Sequence, residues 1–157
     1  MTMQINIGDH ASPEVGYQAF PVRHRGTVRW ARTRAIWISR NKASADVYFR
    51  GLPGGRSLTA LLADNSIWVN FHATIAHFGE TNAVGGSEIA IGPRAFRIGR
   101  WTVLATLIHE LAHANGAPGG ASRLAEEALP HCGLGRQSER TSGVDDQRTP
   151  YDPHIGG

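Results

Sequence analysis

The sequence predicts an α+β fold, with a short, mostly antiparallel sheet packed on one central helix and a second short helix after it. Three observations lead there. Residues 100–115 carry Val103, Leu104, Leu107, Ile108 and Leu111 at helical spacing. Several short apolar runs before them end in Gly or Pro, as strands do, and residues 123–129 resume a helical pattern beyond a Pro-Gly-Gly turn.

At 157 residues one domain, 1–157, suffices, and 41% hydrophobic against 18% charged residues is an ordinary globular balance. The net charge of +3 is too small to demand a nucleic acid or an anionic surface as partner. Cys132 is the one cysteine, which excludes an intramolecular disulfide and reads as a small buried hydrophobe. No run of 18 apolar residues occurs, and the start lacks a basic segment followed by an apolar one, so neither a membrane span nor a Sec signal peptide is expected.

In chain order, residues 1–26 are loop-rich, with Gly8, Pro13, Gly16, Pro21 and Gly26 following a short strand at 4–7. Residues 27–42 hold Arg29, Arg32, Arg34, Arg40 and Lys42 with Trp30 and Trp37 between them and no acidic residue, a composition worth testing for nucleic-acid binding. Val28, Trp30, Ile36 and Ile38 all fall on even positions, however, so a half-buried strand pair with its arginines in water is the expectation. Residues 46–50 are a further strand candidate. Ser57 caps a short helix reaching Leu62, and residues 67–71 form a strand. His72 and His77 read as loop histidines bonded to backbone, five apart and so off ligand spacing. Residues 80–87 read as loop and 88–91 as a strand ended by Gly92 and Pro93. Gly116 stops the central helix, Ser122 caps the next one, Pro130 ends it, and residues 136–157 form an extended tail.

The chemistry sits in the central helix, as His109-Glu110-x-x-His113. Residues four apart share a helix face, so both imidazoles can reach one metal ion while Glu110 stays close enough to take a proton from an attacking water. The bland alternative, an amphipathic helix turning these three to solvent, would put a polar stripe in the most hydrophobic helix of the chain.

This motif on a helix after a strand resembles the zincin metallopeptidases, over residues 88–132. The resemblance implies a zinc (Zn2+) cofactor, His109 and His113 as ligands and Glu110 as general base. The metzincin branch continues x-x-Gly-x-x-His; Gly116 matches its glycine, but Gly119 stands where its third histidine falls. The gluzincin-like branches take a glutamate from a following helix instead, which implies Glu126 as third ligand, with Glu127 and His131 as the alternatives. Tyr151, His154 and His131 are candidate oxyanion donors, and an edge strand beside the helix, residues 67–71 or 88–91, is expected to wall the cleft.

The expected function is therefore a zinc-dependent metallopeptidase acting on a protein or peptide substrate. Small zincins of this plan resemble peptidase modules of bacterial toxins and secretion-system effectors. That likeness implies a bacterial source, a secretion machine or cognate immunity protein as partner, and a cytoplasmic or Sec-independent delivered location. The alternatives are an intracellular regulatory zincin acting on a DNA-associated protein, and a non-catalytic zinc-binding module.

Overall fold

In the computed structural model, residues 1–119 and 123–134 are described. Their order is β1 (Gln4–Ile5), α1 (Val22–Asn41), α2 (Ala43–Arg50), α3 (Leu58–Leu62), β2 (Trp68–Phe71), β3 (Gly79–Thr81), β4 (Glu88–Ile91), α4 (Pro93–Ile98), α5 (Arg100–Ala114) and α6 (Arg123–His131). The fold is α+β, and α5 is its hub, packing on α1, α4, α6, β3 and β4. Every residue of α5 from Trp101 to Ile108 is buried, as its continuous apolar character requires. No helix among the described residues is long and apolar enough to cross a membrane.

The sheet order is β1-β2-β4-β3, with β1, β2 and β4 mutually parallel and only β3 antiparallel. The expected mostly antiparallel sheet is thus corrected to a mixed one. The reason lies in the strands themselves: Val69, Asn70 and Phe71 of β2 and all four residues of β4 are buried, the mark of interior strands covered on both faces. Between them the chain runs out to β3, turns through residues 82–87, and returns as β4 in the slot beside β2. Residues 80–87, expected to be all loop, therefore contribute the edge strand.

Two expected strand regions are helices. In residues 27–42 the buried positions of α1 are Val28, Ala31, Ala35, Ile38 and Ser39, spaced three and four apart, whereas Trp30 and Ile36 are only partly covered. Alanines carry this stripe, and the larger even-numbered residues concealed it. Likewise residues 46–50 belong to α2, which buries Ala45 and Phe49 one helical turn apart. Asp46 accepts hydrogen bonds from the Thr59 amide (2.9 Å) and hydroxyl (2.7 Å), which fixes α2 to the first turn of α3. Ser57 caps α3 as expected, its hydroxyl accepting from the Ala60 amide at 3.0 Å. The additional short helix α4 starts at Pro93, a residue suited to a first helical position. Pro130 lies inside α6 rather than beyond it.

Two glycines set the framework of the site. Gly116 takes φ +91° where α5 stops, and a Cβ there would meet the Gly54 amide nitrogen at 2.8 Å. The amides of Gly116 and Ala117 donate back to His113 and Ala112, closing a Schellman turn. Gly79 opens β3, and a Cβ there would meet Thr106 Cγ2 at 2.6 Å and the Ala90 carbonyl at 2.7 Å. Only a glycine lets the edge strand lie this close to α5.

Candidate metal centre

His109, Glu110 and His113 occupy the last two turns of α5, where the helix passes beneath β3. Their ligand atoms all lie within 4.8 Å of one another, and no other group of three His, Cys, Asp or Glu among the described residues does the same. The Nε2 atoms of His109 and His113 are 3.2 Å apart, with the rings at 71°. Two nitrogens each about 2.0–2.1 Å from one tetrahedral ion would stand roughly 3.3 Å apart, so the pair fits a shared metal.

The second nitrogens set the tautomers. His113 Nδ1 lies 2.9 Å from the Ala117 carbonyl, which can only accept, so Nδ1 carries a proton and, in the neutral ring, Nε2 offers its lone pair. The Schellman turn at Gly116 is what brings that carbonyl into place. Burial, and next the neighbouring His113, push the His109 pKa down to about 4, which keeps its imidazole neutral at physiological pH. These three residues could hold a metal ion.

Glu110 is 4% exposed. The Thr81 hydroxyl donates to its Oε2 at 2.7 Å, so the edge strand holds the carboxylate in place. Burial pushes the Glu110 carboxyl up to about 7; the Thr81 hydrogen bond opposes that rise and the charge of Glu80 adds to it. A carboxyl in this range takes up and releases a proton near neutrality.

The group opens into a cleft of about 360 Å³, whose other lining includes His77, Glu80, Ala83, Val84 and Gly119. Its wall is β3, which pairs with β4 along one edge and has no strand on the other among the described residues. The expectation that residues 67–71 or 88–91 form this wall is corrected: β2 and β4 are interior, and residues 79–81 take the place. The Tyr17 hydroxyl is bonded to Glu80 of the wall; burial, followed by the charge of Glu80, raises its pKa.

Of the three residues weighed for a further ligand, Glu126 comes near. Its Oε1 lies 3.5 Å from His109 Nδ1, on the ring's other side from the paired Nε2 atoms. Glu127 acts on Tyr48, whose pKa is raised by burial and then by the Glu127 charge. The His131 ring stacks on Tyr48 at 4.5 Å between centroids. Cys132 is fully buried, and burial pushes its thiol up to about 12. The cap assigned to Ser122, the oxyanion candidates Tyr151 and His154, and the tail 136–157 lie outside the described residues.

Thr81, Glu80, Tyr17 and the cleft position of His77 were missed from sequence, because the pairing of β3 with β4 delivers Glu80 and Thr81, the bridge of Gln18 to Phe71 anchors the segment of Tyr17, and no local pattern signals either. Comparisons with protein-family models, curated proteins and solved structures give no match to this chain.

Proposed function

We propose that the protein is a zinc-dependent metallopeptidase of the zincin type. The observation that carries the reading is two imidazoles with Nε2 atoms 3.2 Å apart beside a buried carboxyl whose pKa burial pushes up to about 7, all opening into one cleft. Zinc held by His109 and His113 would supply Lewis acidity and lower the pKa of a water toward about 7.

The chain's own residues do the rest. Glu110 accepts the proton that the attacking water loses as its oxygen bonds to the peptide carbon, and returns it to the amine nitrogen as the C–N bond breaks. Thr81 holds that carboxylate against the helix. An extended peptide can pair with the outer edge of β3, which no other described strand covers. The open cleft favours hydrolysis over a closed structural zinc site, which would surround the ion with four protein ligands.

Metal analysis and a peptide-library assay test this directly. The wild-type protein is expected to carry one zinc per chain and to cleave; Glu110→Ala keeps the zinc and loses cleavage, while His109→Ala and His113→Ala lose the zinc. Wild-type protein without zinc, or Glu110→Ala cleaving as well as wild type, overturns the reading.

A second reading, a zincin working on DNA-associated protein, draws support from α1, whose solvent side carries Arg23, Arg29, Arg40 and Trp37. A salt-dependent shift of DNA mobility would favour it, and no binding at low salt removes it.

A further inference from the structure

We propose that Glu126 is a positioning residue that holds His109 through its Nδ1, and not the third metal ligand. The inference rests on the metal reading above and concerns what α6 contributes to it. Helix α6 buries Ala125, Ala128 and Leu129, which sets Glu126 on its flank beside α5.

The two histidines differ at their second nitrogens. His113 Nδ1 is held by the Ala117 carbonyl at 2.9 Å, whereas His109 Nδ1 is buried and makes no hydrogen bond among the described residues. The Glu126 carboxylate stands 3.5 Å from it, just beyond hydrogen-bond reach, with its side chain 37% exposed. A small side-chain adjustment closes that gap.

The ring's two nitrogens point to different sides, and His109 Nε2 is committed toward His113 Nε2. A carboxylate facing Nδ1 therefore faces away from the point where the two Nε2 lone pairs meet, and Glu126 stands outside the His109, Glu110 and His113 group. On the Nδ1 side it accepts the ring proton, leaves Nε2 bare, and stops the ring from turning. A carboxylate behind a ligating imidazole also raises its basicity. His113 is thus held by backbone and His109 by a side chain, so Glu126 is the one of the two holders that a substitution can remove.

The test uses the full chain with Co2+ as probe and three forms: wild type, Glu126→Gln and Glu126→Ala. A positioning Glu126 predicts the same visible d–d band positions and intensity in all three. Co2+ affinity falls about 10–100-fold in Glu126→Ala, and Glu126→Gln, whose amide oxygen still accepts, recovers part of it. Nitrogen NMR of the metal-free protein is expected to give His109 protonated on Nδ1 in wild type and a tautomer mixture in Glu126→Ala. A changed d–d spectrum in Glu126→Ala, or an unaltered His109 tautomer, overturns the proposal. Wild type that binds no Co2+ overturns the metallopeptidase reading instead, and the tautomer measurement still decides the role of Glu126.

Discussion

The floor and the wall of the cleft are built on opposite principles. The floor, α5, is buried along nearly its whole length and touches most of the other elements, so its three chemical side chains ride on the best-packed part of the molecule. The wall, β3, is three half-exposed residues at a sheet edge, held by its pairing with β4, by the Thr81 hydroxyl on Glu110, and by the close approach at Gly79. The difference teaches where each property resides. His109, Glu110 and His113 are fixed by the core, and on the metallopeptidase reading proposed above the choice of substrate would fall to the half-exposed side chains of the strip.

The sharpest way to break the contrast is to damage the floor. Leu107→Ala, at a fully buried position of α5, is expected to lower stability by about 2–5 kcal/mol in urea unfolding, because a cavity opens in the core. Gly79→Ala strikes the wall: the added carbon meets the Ala90 carbonyl and Thr106, at a cost of about 1–3 kcal/mol, and on the proposed metallopeptidase reading it would lower peptide turnover by more than that loss of stability explains.

Between floor and wall stands Glu110, and pH separates its contribution. Its folded pKa, about 7, lies above the ordinary 4.5, so the folded state binds the proton more tightly and loses stability as pH rises from about 4.5 through 7. Metal-free Glu110→Gln is therefore expected to gain on metal-free wild type between pH 5 and pH 8, by up to about 3 kcal/mol in urea unfolding. A difference that stays constant over that range would refute the buried-carboxyl assignment. The smallest effect belongs to Thr81→Val. It removes the donor that favours the carboxylate, for a loss of about 1 kcal/mol that is larger at pH 8 than at pH 5.

What could be read from sequence followed how local each signal is. The α5 stripe, the Gly116 stop, the Ser57 cap and the apolar runs of β2 and β4 are carried by neighbouring residues, and each was legible. The convergence of His109, Glu110 and His113 was legible for the same reason, since four residues on a helix is a fixed distance. Helix α1 was not, because Ala31 and Ala35 carry its buried stripe quietly while Trp30 and Ile36 suggest an alternation that the fold does not use. The parallel pairing of β1, β2 and β4 depends on how distant segments stack, and β3 is Gly-Glu-Thr, a run with no strand preference of its own. Thr81 and Glu80 were hidden with it.

The turn at Gly116 ends α5 and also presents the Ala117 carbonyl to His113. The place where a helix stops is here a chemical variable. Adding one residue between Asn115 and Ala117 would leave both histidines and every helical hydrogen bond before them in place, yet withdraw the oxygen that decides which ring nitrogen carries the proton. Loop length, ordinarily the most freely varied property of a chain, is in this segment coupled to the electronic state of an imidazole two residues upstream of the insertion.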